Sequence, residues 1–178
     1  MLEQRITFER LGAISNLSED LALPALDELI SARLLHETVQ PGVTSAYAFT
    51  NDMLRDVVYT DAGDARRRLF HRRALKILKA DGDFAAVLAH HALAAGLAKA
   101  AFQHSLEAGR EALHLSAVGE AIIHFERAHQ LVQDASLPET PGRVELRDLY
   151  VQLGRAYELG GQAEKALVID AELDRLGN

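Results

Sequence analysis

The sequence predicts a mainly α protein: a short N-terminal segment of helices closed by one β-hairpin, then antiparallel helix pairs stacked on one another. Three observations carry this reading. Alanine and leucine abound while proline occurs only four times, a bias that favours helices because alanine and leucine lose little free energy on entering one. Apolar residues keep helical spacing through most of the chain. Small residues recur twelve positions apart in the C-terminal half, at Ala89 and Ala101, Gly109 and Ala121, and Gly154 and Ala166.

Ile6, Phe8, Leu11 and Ile14 mark a first helical stripe. Ser18, followed by Glu19 and Asp20, reads as a helix start, because a serine oxygen accepts from the free amides of a first turn. Leu26, Leu29, Ile30 and Leu34 then keep helical spacing, and Pro24 suits an early turn where its missing N–H costs nothing. Three helices are expected over the first forty or so residues, the third from Leu26 to Leu35. There the pattern changes. Thr38 and Val39, the turn signal Pro41–Gly42, and Tyr47, Ala48 and Phe49 predict a small hairpin, the only strand structure expected. Asn51 and Asp52 cap a helix carrying Leu54, Val57, Val58 and Tyr59, and another follows from about Asp64 to Ala80. Asp81, Gly82 and Asp83 stop it, which divides the chain into segments 1–80 and 84–178.

Beyond residue 83 the pattern repeats, with five helices expected near 84–95, 98–116, 119–134, 144–160 and 162–176. A small residue on each of two antiparallel helices marks a close crossing, since a larger side chain there pushes the backbones apart. Ala121, Phe125, Ala128 and Val132 share one face. So do Leu146, Tyr150, Leu153 and Tyr157, and then Ala166, Ile169, Leu173 and Leu176.

Charge is unevenly placed. The net charge is −7, yet residues 1–80 hold 11 Lys/Arg against 11 Asp/Glu, which leaves 8 against 15 for residues 81–178. An acidic helical half repels nucleic-acid phosphates. Within the balanced half, residues 66–79 carry seven cations and no acid: Arg66, Arg67, Arg68, Arg72, Arg73, Lys76 and Lys79. This stretch is open to three readings: a grip on phosphates or an acidic partner, a solvated face opposite Leu69, Phe70, Ala74, Ile77 and Leu78, or a dock for the acidic half. The chain has no cysteine, which excludes disulfides and thiolate metal sites and suits a reducing compartment. No apolar run is long enough to cross a bilayer and no signal-peptide pattern opens the chain, so a cytoplasmic location is expected.

Tyr150, Leu153, Gly154 and Tyr157, with Ala166 in the next helix, resemble the tetratricopeptide repeat: a large–large–small–aromatic helix and the small residue of its partner. Ala108, Gly109, Ala121, Phe125 and Ala128 form a second match, and Leu88, Ala89, Ala92 and Ala101 look like half a unit. Equivalent sites lie 45 apart rather than the family's 34, through an insert around Ser136 to Gly142 containing Pro138 and Pro141. Asp170 stands where the family prefers an aromatic, so the last helix reads as an end cap. The helix–helix–helix–hairpin order is that of a winged helix, and "LSEDLALPALDELISARLLHE" resembles such a core. "YAFTNDMLRDVVYTDAGDARRRLFHRRA" is similar to the segment joining winged helix to helical repeats in bacterial signal-transduction ATPases with numerous domains, including LuxR-like ATP-binding transcription regulators. Those proteins often carry a phosphate-sensing histidine before the aspartate that Asp52 matches; Asn51 stands in its place here. Asn51 thus speaks against nucleotide sensing there, and with no GxxxxGK[ST] segment in the sequence the resemblance implies a sensor-side region, or a stand-alone relative, lacking the motor.

Catalytic and metal motifs are absent from the sequence. There is no GxxxxGK[ST] loop to cradle a triphosphate, no GxSxG elbow and no HExxH pair. His90 and His91 diverge on a helix, and His124 and His129 are five apart, not the three or four that share a face. No cofactor is expected and no enzyme. Tyr150 and Tyr157 read as core wedged between paired helices. A binding groove is sought instead on the inner face of each pair's first helix, at Gln103, Glu107, Arg110, His114, Gln152 and Arg155. The function expected is a protein-interaction or effector-sensing module whose partner is another protein or domain, with a small effector second. The alternative is a winged-helix DNA-binding protein that lays the basic helix 64–80 on phosphates. Against it, the third helix carries Asp27 and Glu28 with only Arg33.

Overall fold

The computed structural model describes residues 6–38, 45–134, 137 and 139–177. They are mainly helical, with one small antiparallel sheet near the N-terminus and packed helix pairs after it, and they divide into two compact units, 1–80 and 81–178.

In the first unit, β1 (Ile6–Thr7) leads into α1 (Phe8–Ser15), α2 (Glu19–Ser31) and the strands β2 (Leu35–Thr38) and β3 (Ala46–Phe49). The strand order is β1-β3-β2, with Ile6 opposite Tyr47 and Leu35 opposite Phe49. Two expectations change here. Ile6 belongs to a strand, because its backbone finds partners on β3 before the first helix begins. Two helices, not three, precede the hairpin among the described residues: the expected third helix is the back half of α2, and Leu35 already opens β2. Thr7 caps α1, its Oγ1 accepting from the Arg10 amide at 3.4 Å. Ser18 occupies the corresponding place before α2, but its side chain makes no capping bond. Pro24 is the sixth residue of α2, one turn later than its sequence context suggests, and it is exposed. The carbonyl it leaves unbonded, that of Asp20, belongs to an equally exposed residue. The turn signal at Pro41–Gly42 lies outside the described residues.

Asn51 opens α3 (Asp52–Asp61), its Oδ1 accepting from the Met53 amide at 2.7 Å. No residue of α3 is buried; Met53 is 74% and Val57 59% exposed. Helix α4 (Asp64–Asp81) buries Ala74, Leu75 and Leu78. Leu69 and Phe70, expected on that apolar side, are exposed instead: at 3.6 residues per turn Phe70 lies at the margin of the face centred on Ala74, Leu75 and Leu78, and Leu69 nearly opposite it.

The second unit is α5 (Ala85–Ala94), α6 (Ala98–His114), α7 (Val118–Gln133), α8 (Arg143–Leu159) and α9 (Ala163–Gly177). Each helix packs on the next, and α6 also touches α8. Three of the four connections are the same turn. Gly96, Ser116 and Gly161 each adopt a left-handed conformation, at φ 72°, 59° and 70°. In each, the following amide reaches back to close the helix end: Leu97 to the Ala92 carbonyl at 2.9 Å, Ala117 to Ala112 at 2.8 Å and Gln162 to Tyr157 at 2.8 Å. This pattern satisfies carbonyls that a helix terminus would otherwise leave free. Ser116 and Gly161 are 45 residues apart, the same offset that relates Gly109 to Gly154 and Ala121 to Ala166. The α6–α7 pair and the α8–α9 pair are thus equivalent in backbone as well as in sequence.

All eleven residues expected to pack between helices are buried: Ala89, Ala101, Gly109, Ala121, Phe125, Ala128, Tyr150, Leu153, Gly154, Tyr157 and Ala166. The two glycines differ in kind. The Phe125 ring lies flush against the Gly109 backbone, so a methyl there would come within 2.6 Å of its Cδ1. A methyl on Gly154 would instead meet Asp170 Oδ1 at 3.5 Å and Ile169 Cγ2 at 3.8 Å, which is ordinary contact. Gly109 is therefore a forced glycine, and Gly154 is not.

Gly109→Ala should lower stability by about 1–3 kcal/mol through overpacking. Gly154→Ala should leave it unchanged or raise it by up to about 1 kcal/mol, because alanine is the better helix former. Urea midpoints of the two variants, measured side by side, check the contrast; equal losses would contradict the contact at Phe125. Ser116→Gly should stabilise by about 0.5–1 kcal/mol, because a non-glycine pays for a left-handed backbone. Thermal melts of this variant read the gain directly.

Candidate functional site

A hollow of about 540 Å³ opens between α6 and α8. Its α6 wall is formed by Phe102, Gln103, Leu106, Glu107 and Arg110, and its α8 wall by Val144, Glu145 and Asp148. Phe102 and Leu106 are core residues whose side chains form the floor, being only 2% and 6% exposed. Val144, at the rim, is 82% exposed. Helical spacing explains the arrangement: Gln103, Glu107 and Arg110 fall at i, i+4 and i+7 on one face. An apolar floor under a few convergent polar groups is the usual make-up of a binding depression.

Arg110 spans the hollow, one guanidinium nitrogen donating to Asp148 Oδ2 on the opposite wall. Glu145 uses one carboxylate oxygen to cap its own helix, accepting from the Gly142 amide at 3.0 Å. Glu107 sits 3.4 Å from His104 Nδ1. Both Glu107 and Glu145 remain exposed. Phe102, Gln103 and Glu145 also line a smaller hollow of about 130 Å³, to which Lys99, Glu139, Pro141 and Gly142 contribute as well.

Of the six groove residues anticipated from sequence, Gln103, Glu107 and Arg110 line this hollow together. His114, Gln152 and Arg155 do not: His114 and Arg155 are exposed further along their helices and Gln152 is half-buried. The α8 contribution comes one to two turns earlier, from Val144, Glu145 and Asp148. Asp148 lies on the same face as Gln152 and Arg155, so the face was readable and the height along the helix was not.

The basic stretch is partly spent within its own unit. The Arg67 guanidinium lies 5.2 Å above the Tyr59 ring. Arg68 pairs with Asp64 at 2.9 Å, one helical turn back. Arg73 donates to the carbonyls of Ile14 and Ser15, at 3.3 and 3.0 Å, and so caps the C-terminal end of α1. Arg66, Arg72 and Lys76 are exposed and have no hydrogen bond or ion pair among the described residues. Among those same residues, no cluster of three or more histidines or carboxylates could hold a metal ion, and no helix is long and apolar enough to cross a membrane.

A second polar cluster ties three helices together. Tyr157 Oη on α8 donates to Glu126 Oε1 on α7 at 2.8 Å, and Lys165 Nζ on α9 donates to the same oxygen at 2.9 Å. The ammonium also lies 5.2 Å from the Tyr157 ring centre. Burial raises the affinity of Glu126 for a proton, but the two donated hydrogen bonds and the lysine charge outweigh it and hold the carboxyl below its ordinary range. Burial, followed by the Glu126 hydrogen bond and charge, pushes the Tyr157 hydroxyl far up.

Three histidines oppose protonation. Burial lowers His90, His124 and His129 below the ordinary imidazole value, and the nearby Arg127 charge lowers His90 and His124 further. Glu120 acts the other way on His124, as do Glu172 and Glu126 on His129. Buried Nδ1 atoms of His124 and His129 have no hydrogen-bond partner among the described residues. Comparison with family models, with curated proteins and with solved structures finds no match to any of them.

A pH dependence follows. A histidine whose folded pKa is depressed binds its proton more readily in the unfolded chain, so stability rises with pH across the gap between the two values. Stability should be full above the ordinary imidazole value of 6.5 and fall as pH drops below it. Glu126 enters only further down, below its own ordinary 4.5. Melting curves between pH 7.5 and 5 (roughly the histidine window) should show this fall, and His124→Gln together with His129→Gln should flatten it. An undiminished slope in that double variant would place the effect elsewhere.

Proposed function

We propose that this chain is a non-catalytic binding module whose hollow between α6 and α8 receives a segment of another protein. The observation that carries the reading is the hollow itself: an apolar floor, Phe102 and Leu106, under polar walls from two different helices. The 45-residue recurrence of the left-handed turn, the buried glycine and the buried alanine supports reading α6–α7 and α8–α9 as tetratricopeptide-like units. Stacked units of that kind bury one face and leave a curved surface free for recognition. The β1-β3-β2 sheet with α1 and α2 before the hairpin supports a winged-helix-like first unit, acting as a connector. On α2, Asp27 and Glu28 are exposed, a poor surface for a DNA groove. The setting we infer is a cytoplasmic bacterial signalling or transcription regulator.

Duplex DNA gripped by α4 is less well supported, because Arg67, Arg68 and Arg73 already have partners within their own unit.

A displayed library of random dodecapeptides, panned against the full chain, tests the proposal. Gln103→Trp fills the hollow at an exposed position, so it should preserve the fold while weakening selected peptides about tenfold or more. Arg72→Glu with Lys76→Glu should leave the same peptides bound. Peptides that bind wild type and Gln103→Trp alike would show that recognition lies outside the hollow.

A further inference from the structure

We infer that the hollow between α6 and α8 selects a cationic segment, one presenting an apolar side chain flanked by lysine or arginine. The inference rests on the binding-module reading above and adds the chemistry of the partner. Three carboxylates line the hollow, those of Glu107, Glu145 and Asp148, against the one guanidinium of Arg110. Arg110 is committed to Asp148, which leaves Glu107 on one wall and Glu145 on the other. Neither is fully occupied. Glu107 has one contact with His104, and Glu145 accepts a single amide through one oxygen. Both are exposed, so a guest cation meets them without first breaking an internal ion pair.

The nearby cations do not offset this charge. Arg143, one residue before Val144, donates to the Leu176 carbonyl on α9. Arg147 does not line either hollow. Lys99 lines the smaller hollow with Glu139 and Glu145, but no ion pair joins it to Glu145 among the described residues. An anionic segment would therefore meet two uncompensated carboxylates, whereas a cationic one meets complementary potential from both sides. The apolar requirement comes from the floor and rim: Phe102 and Leu106 below, with Val144 standing 82% exposed beside them.

The test pans the same dodecapeptide library against wild type and against Glu107→Lys/Glu145→Gln. Glutamine at 145 retains an oxygen for the Gly142 amide, so the start of α8 stays capped while the lining charge is reversed. Only clones that lose binding to Gln103→Trp are counted. In wild-type selections these clones should be enriched in Lys or Arg next to an apolar residue. The best of them should bind Glu107→Lys/Glu145→Gln about tenfold more weakly, with a difference that shrinks at high salt. The charge-altered protein should lose the enrichment. Groove-dependent clones without basic enrichment, or unchanged by the charge substitution, would overturn the cationic selection and leave the hollow as a binding site. If no clone depends on the hollow at all, both the partner chemistry and the module reading fall.

Discussion

The second unit depends on one contact, the Phe125 ring against the bare backbone of Gly109. Phe125 is the largest fully buried side chain among the described residues, and removing such a ring from water contributes about 1.5–3 kcal/mol. That gain requires α7 to approach α6 at a point where no Cβ stands in the way. The walls of the hollow follow from this geometry. Helix α6 turns one face to Phe125 and α7, and its opposing polar face, with Gln103, Glu107 and Arg110, is left to meet α8.

The same approach has an electrostatic side. Side chains with polar atoms are carried into the interface with the aromatic ones, and they are satisfied unequally. Glu126, Tyr157 and Lys165 form a complete set, in which one carboxylate oxygen takes two donors from two other helices. His124 and His129 are incomplete, each with a buried ring nitrogen lacking a partner among the described residues. Ser105, fully buried on α6, has an unpartnered hydroxyl as well. An unmade hydrogen bond in such surroundings costs about 1–3 kcal/mol. Burial there favours neutral imidazole over imidazolium.

Much of the second unit was legible in the sequence, because its signals are local. Apolar stripes and small residues located the five helices to within about two residues; the third of them, expected near 119–134, runs Val118–Gln133. The first unit was less so. Ile6 fits a helical stripe equally well until β3 supplies partners from far along the chain, and Pro24, expected in the first turn of its helix, lies in the second. Leu69 and Phe70 were read as part of the apolar side yet remain exposed, since the helix turns inward the face of Ala74, Leu75 and Leu78, with Phe70 at its edge and Leu69 behind it. The hollow shows the same division. Its α6 wall was readable from one helical face, whereas the position of its α8 wall depends on how far two helices slide along each other. That displacement belongs to tertiary packing and leaves no local pattern.

The three identical turns have a kinetic meaning. Each closes on carbonyls only five residues back, and each joins helices that are neighbours in sequence. The ordering of the second unit therefore rests on short loops, whose closure costs little entropy. Chains dominated by such near-neighbour contacts fold within microseconds to milliseconds. The small sheet of the first unit, pairing Ile6 with Tyr47, must close a far longer loop before it is rewarded. The helical stack should thus form before the sheet whenever the chain emerges from a denatured state.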